Sequence, residues 1–302
     1  MNAIRLDVPA SSANLGPGFD CLAVALELRN TLHLTETTWG LSVEIEGEGA
    51  DSLPKDERNL IVQAAFKAFE AISYAPSGLH FRCLNRIPLG SGLGSSAAAI
   101  VAGLLAANHL AGGPLGQEAL LELALSMEGH VDNAAAALLG GLTVAALDGD
   151  SILARRLPLQ DLRFAVALPR IDLPTEAMRA ALPPKVPMSD ATFNVAHALL
   201  ASEALRTGDS SLLRRAVADR LHIPHRASFV PAYDDVVAAA LGAGASAATL
   251  SGAGPSLIAF TDRHGEAVLQ AMLSAFEASG VEARGWILSA AHEGARLGPT
   301  GD

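Results

Sequence analysis

The chain is poor in lysine. Across 302 residues only Lys55, Lys67 and Lys185 occur. The 32 Asp and Glu outnumber the 21 Lys and Arg, giving a formal net charge of -11, and no cluster of basic residues interrupts that balance. Nucleic-acid backbones are held by clustered Lys and Arg, so the composition argues against a general nucleic-acid partner. Only Cys21 and Cys83 are present, too few for a disulfide framework or a cysteine-based zinc site. His222-Ile-Pro-His225 has near-ligand spacing, but proline interrupts it and no cysteine accompanies it. The first residues lack a signal-peptide pattern, and no apolar run reaches the roughly 18 residues of a membrane span. A reducing cytoplasm, with no membrane partner, is the expectation. With 50% hydrophobic residues, the length allows one large or two ordinary domains with sizeable cores.

The most informative stretch that is present is Pro88-Leu-Gly-Ser-Gly-Leu-Gly-Ser-Ser-Ala-Ala98, directly before an alanine-rich helical run. Gly90, Gly92 and Gly94 let the backbone approach an anion, and Ser95 and Ser96 sit where a helix start points its unpaired N–H groups. No Gly-Lys-Ser/Thr ending of the Walker A type follows. Backbone amides and the helix dipole must therefore carry more of the phosphate binding. The run Ala97 to Ala107 is apolar on every side and reads as a buried helix with a rigid end. A glycine-rich turn that merely caps a buried helix is the plainer alternative.

Strand-like and helix-like stretches alternate along the chain without a repeat. Residues 3–9, 22–28, 41–46 and 79–84 read as strands, as does the stretch near 141–146. Residues 59–72, with Asn59 as N-cap, and 117–127 read as helices. A boundary is expected near residue 155. Beyond it, 164–168, 247–250, 256–260 and 282–289 read as strands, and 190–206, 210–219, 232–242 and 265–279 as helices. Mixed rather than strictly alternating elements indicate an α+β fold.

Pro88 to Ala98 resembles the ATP-binding motif of the GHMP kinases. Val8-Pro-Ala-Ser-Ser-Ala-Asn-Leu-Gly-Pro-Gly-Phe-Asp20 is similar to the amino-terminal motif of that superfamily, in the form typical of its homoserine kinases. Ser251-Gly-Ala-Gly-Pro-Ser256 resembles its carboxy-terminal glycine-rich motif, and Glu128-Gly-His-Val-Asp-Asn133 lies between them. Four motifs in the family's order span nearly the whole chain. The resemblance implies a two-domain GHMP kinase fold with the active site in the interdomain cleft. It assigns 1–155 to the ATP-binding domain and 156–302 to the carboxy-terminal domain, whose last segment returns to the first. It also implies ATP-dependent phosphorylation of the L-homoserine hydroxyl in threonine biosynthesis. Another GHMP kinase acting on mevalonate or a sugar, and a non-catalytic metabolite-binding member, stay open as alternatives. So does the oligomeric state, with a homodimer among the options.

What the resemblance implies for single residues follows its motifs. Pro88, Leu89, Gly90, Ser91, Gly92, Leu93, Gly94, Ser95, Ser96, Ala97 and Ala98 would form the ATP loop, and Ser96 and Glu128 would hold Mg2+. Asn14, Asp20, His130, Asp132, Asn133 and Gly252 would meet the amino acid, with Asp20 toward its ammonium and Asn133 toward its hydroxyl. Thr175-Glu-Ala-Met-Arg179 and the segment ending at Arg226 resemble the remaining substrate segments, which gives Thr175 and makes Arg179 and Arg226 a carboxylate clamp. Val131 and Ala136 stand where the family often has proline, a change in stiffness more than in chemistry.

Overall fold

A computed structural model describes residues 3–149, 151–261 and 264–299. The chain opens with two long antiparallel strands, β1 (Ala3–Asn14) and β2 (Gly18–Glu36), which pair along nearly their whole length. Both outrun the expected strands, because register shifts at Pro9/Ala10 and Ala13/Asn14 let the ladder continue through the first motif. Next come β3 (Gly40–Gly47), α1 (Leu60–Ile72) and β4 (Gly78–Asn85). β3 and β4 are parallel neighbours, so α1 serves as the crossover between them. Asn59 caps α1 as its sequence predicts, accepting from the Ile61 N–H at 3.0 Å.

Three helices follow: α2 (Ser95–Leu110), α3 (Gln117–Glu128) and α4 (Asp132–Leu139). α2 is buried on almost every side. Its Gly103 faces the Ile61 carbonyl so closely that a Cβ would collide with it, and glycine here sets the close approach of α1 and α2. The hairpin β5 (Leu142–Asp148) and β6 (Ser151–Leu157) extends the first sheet, β5 pairing with β2. Because β6 pairs with β5 along its length, the first sheet runs on to Leu157, just past the expected boundary near 155.

The second layer begins with β7 (Arg163–Pro169) and the helices α5 (Thr175–Ala180), α6 (Met188–Thr207), α7 (Ser210–Ala216), α8 (Ile223–Arg226) and α9 (Tyr233–Gly242). β8 (Ala247–Leu250), β9 (Leu257–Thr261), α10 (Gly265–Ala278) and β10 (Ala283–Ser289) complete an antiparallel sheet ordered β10-β7-β9-β8. Alternation along β7 joins the layers: Phe164 and Val166 enter the large first core, while Ala165 and Ala167 enter the second. The two halves thus share packed apolar surface. The chain then returns to the first sheet, where β11 (Arg296–Leu297) pairs with β1. No described helix is long and apolar enough to cross a membrane.

Candidate active site

The glycine loop leaves β4 and ends at Gly94, whose left-handed φ of 69° places it as the N-cap of α2. No side chain caps this helix start, so the N–H groups of its first turn remain available. Inside the loop, the Ser91 hydroxyl donates to the Pro88 carbonyl at 2.7 Å and accepts from the Leu93 N–H at 3.3 Å. Gly92, at φ 77°, lies against the Ser251 carbonyl, and any Cβ there would collide with it. Gly90, Ser91, Gly92, Gly94, Ser95 and Ser96 line a cavity of about 110 Å³. Pro88, Leu93, Ala97 and Ala98 do not line it. They are buried behind it, so the expected ATP stretch divides into a lining face and an anchoring face. Leu89 is exposed and borders two neighbouring cavities.

The first motif forms the facing wall. Asn14, Leu15 and Asp20 all hold positive φ, at 68°, 47° and 52°, a concentration of strained backbone typical of functional loops. The Asn14 amide is used at both ends: Nδ2 donates to the Gly252 carbonyl at 2.9 Å and Oδ1 accepts from the Asp20 N–H at 3.0 Å. Asn14 lines the cavity, its side chain positions Asp20 and Gly252, and its second N–H and second carbonyl lone pair remain for a ligand. Gly252 is held from the other side too, its N–H donating to the Ala13 carbonyl at 3.1 Å.

At the third wall, α3 ends at Glu128, Gly129 reverses the chain at φ 80°, and α4 starts at Asp132. Asp132 is buried, its Oδ1 accepting from the Asn133 N–H at 2.8 Å and from His130 Nδ1 at 3.1 Å. Burial opposes charge on His130, but the Asp132 hydrogen bond and the Glu128 and Asp132 charges outweigh it and hold its pKa above the usual histidine value. Burial, opposed by His130 and reinforced by Asp132, pushes the Glu128 carboxyl up to about 7. Glu128 Oε2 is buried without a hydrogen-bond partner. That atom fits a cation beside the glycine loop. Among the described residues no group of three His, Cys, Asp or Glu could hold a metal, so such a cation would draw most ligands from phosphate and water. Asn133 Oδ1 accepts from the Ser11 hydroxyl at 2.9 Å.

The second half supplies the positive charge. Arg179, on α5, meets Asp20 through two hydrogen bonds at 2.9 and 3.2 Å. The expected ammonium partner and carboxylate partner therefore hold each other. Arg226, at the end of α8, is 1% exposed, and its Nε donates to the Met178 carbonyl at 3.2 Å. Burial, reinforced by Arg179, lowers its pKa from the ordinary guanidinium value. Thr175 opens α5, and its side chain lies outside the described residues. Asn14, Asp20, Glu128, His130, Asp132 and Asn133 thus share one cavity with both arginines and Gly252.

Several site residues are absent from the sequence reading. The Ser251 hydroxyl lies 2.8 Å from the Ser12 hydroxyl and 2.7 Å from the Gly92 carbonyl, both within hydrogen-bond reach. With one proton, Ser251 accepts from Ser12 and donates to Gly92, tying β1, the phosphate loop and the last motif together. Ser11, Ser12 and Ser251 lie inside quoted motifs, yet nothing in a linear string distinguishes a serine that meets a ligand from one that holds a loop. An adjoining cavity of about 240 Å³ shares Gly90, Ser95 and Ser96 with the loop and is walled by Ile45, Leu53, Leu60, Ile61 and Cys83. Its residues come from six separate stretches of the chain and form no local pattern.

Comparison with known proteins places this geometry. Residues 59–141 match GHMP kinases N terminal domain, and residues 201–278 match GHMP kinases C terminal. The chain is 43% identical over 299 residues to the homoserine kinase of Nostoc punctiforme, covering 98% of each chain. It is 43% identical over 276 residues to that of Moorella thermoacetica, covering 91% of this chain and 93% of the relative. The crystal structure of homoserine kinase from Cytophaga hutchinsonii superposes with a TM-score of 0.89 at 29% identity, covering 98% of both chains. The L. major mevalonate kinase, at 17% identity and a TM-score of 0.66, shares the fold. The four motifs, the cavity they enclose and these likenesses agree: this chain belongs to the homoserine kinase family of the GHMP kinases.

Proposed function

We propose that the protein transfers the γ-phosphoryl group of ATP to the side-chain hydroxyl of L-homoserine, giving O-phospho-L-homoserine and ADP in threonine biosynthesis in the cytoplasm. The observation that carries this reading is a single small cavity with an unpaired helix N-terminus at one wall and Asp20, Arg179 and Arg226 at another. Mevalonate has a carboxylate but no ammonium, and a neutral sugar has neither. A paired acid and base beside a second arginine suits an amino acid best.

The amides of the glycine loop and the α2 dipole hold the phosphates, a role that needs no lysine. The adenine lies in the apolar cavity walled by Leu60 and Ile61, which opens onto Ser95 and Ser96. Ser96 and Glu128 hold Mg2+, which when bound neutralises charge building up on the transferred group. Arg179 and Arg226 clamp the substrate carboxylate while Asp20 takes its ammonium. Asn133, its carbonyl taken by Ser11, has its amide NH2 left to orient the hydroxyl. Alignment and charge neutralisation supply most of the barrier reduction for a loose phosphoryl transfer, so no side chain need accept the proton early. On this reading residues 1–155 form the nucleotide half and residues 156–302 supply the clamp.

A substrate panel tests the proposal. With ATP and Mg2+, homoserine should release ADP far faster than mevalonate, galactose or shikimate. Preference for any of the other three overturns the reading, as does homoserine binding without turnover.

A further inference from the structure

His222 belongs to the His222-Ile-Pro-His225 segment, for which neither zinc chemistry nor direct substrate contact gives a role. Its side chain is fully buried. Nε2 lies 2.7 Å from the Gly16 carbonyl, a group that only accepts, so Nε2 carries the ring hydrogen and donates it. The neutral ring then presents a lone pair at Nδ1, and Arg226 Nη1 donates to that lone pair at 3.4 Å.

The surroundings favour the neutral ring. Burial lowers the His222 pKa; the Asp219 charge and the Gly16 hydrogen bond oppose the shift, the Arg226 charge reinforces it, and the Asp20 charge opposes it least. Asp219 Oδ1 comes within 3.8 Å of Nε2, but that carboxylate is spent on Asn194 Nδ2 and on the N–H groups of His222 and Ile223. A second proton would place an N–H against a guanidinium, two donors face to face. Phe19 closes the arrangement, stacking on the imidazole at 5.2 Å with the Arg226 guanidinium 5.3 Å from its ring centre.

Arg226 is therefore fixed at Nε by the Met178 carbonyl and at Nη1 by His222. The rest of its fork is left for the cavity it lines. We propose that His222 is a positioning residue: as its Nε2–H tautomer it holds Arg226 so that the unspent guanidinium edge faces the carboxylate of the amino-acid substrate. This rests on the homoserine reading above.

The test compares homoserine with 3-aminopropan-1-ol, which keeps the ammonium and hydroxyl but lacks the carboxylate. The wild type should prefer homoserine by about 10- to 100-fold in kcat/KM, the scale of charged hydrogen bonds. His222→Gln retains a donor for Gly16 but no acceptor at the Nδ1 place, and that preference should fall by about tenfold through the homoserine KM, with the ATP KM unchanged. His222→Asn keeps an acceptor near Nδ1 and should retain more of it. An undiminished preference in His222→Gln, or an equal fall for both alcohols, overturns the positioning role alone. A wild type that uses both alcohols equally overturns the clamp and the homoserine reading together. Nitrogen-15 histidine NMR on the wild type reads the tautomer without any variant: a hydrogen on Nδ1 also overturns the proposal.

Discussion

Arg179 and Asp20 hold each other across 159 residues of sequence, Nη2 to Oδ1 at 2.9 Å and Nη1 to Oδ2 at 3.2 Å. Both side chains keep more than a third of their surface in water. Such pairs contribute about 0–1 kcal/mol, so a ligand bringing its own carboxylate and ammonium can separate them at little cost. Arg226, buried and fixed, offers no such exchange.

The arginines should therefore act selectively on one substrate. Arg179→Ala and Arg226→Ala are each expected to lower kcat/KM for homoserine by about 10- to 100-fold, with little change in the ATP KM. Steady-state kinetics with each substrate varied in turn provides the check. Equal weakening of both substrates in a folded variant would count against the clamp.

Ser96→Ala and Glu128→Ala should each cut turnover strongly and shift its Mg2+ dependence, leaving the fold intact by circular dichroism. Near-normal rate and metal response in Glu128→Ala would remove Glu128 from the metal site. Because burial lifts the Glu128 carboxyl to about 7, activity at low Mg2+ should fall as pH drops through that value. More Mg2+ should move the midpoint lower, since cation and proton compete for one carboxylate.

The same carboxyl has a stability signature. A pKa raised from 4.5 to about 7 means the folded chain binds this proton more tightly than the unfolded chain. Its contribution is fully present below about 4.5 and is lost as pH rises through 7, up to about 3 kcal/mol. Glu128→Gln should accordingly raise the melting temperature in metal-free buffer, more at pH 8 than at pH 5. Thermal unfolding at the two values decides it, and an equal change at both would show that the carboxyl is not perturbed in this way.

Asn133→Ala should cost about 1–3 kcal/mol of transition-state stabilisation, the range for one orienting group left unpaired. His130→Ala should not abolish the chemical step through loss of a base. Single-turnover rates measured against pH separate the two ideas: a steep loss below one pKa that disappears in His130→Ala would make that imidazole the general base.

Long, patterned elements were legible in the sequence. Asn59 and the spacing of Leu60, Ala64 and Ala68 specify α1, and the apolar run after Ser96 specifies a buried α2. Short elements were not. α4 follows Val131 without a capping side chain, α8 has four residues, and β6 is defined by its partner β5 more than by its own pattern. In the site, residue types at motif positions could be read, but their pairing could not. Nothing in the first motif shows that Asn14 spends both ends of its amide on backbone, or that Asp20 faces Arg179. Those contacts depend on the docking of segments far apart in sequence, which periodicity does not encode.

The hydroxyl chain from Ser12 through Ser251 to Gly92 joins segments that are synthesised far apart in time. Ser12 and the phosphate loop are made early, while Ser251, 239 residues beyond Ser12, comes near the end of the chain. Contacts of such separation form late, after the loop closure that brings them together. A chain not yet extended to Ser251 thus carries every glycine of the loop without the serine that ties it to β1.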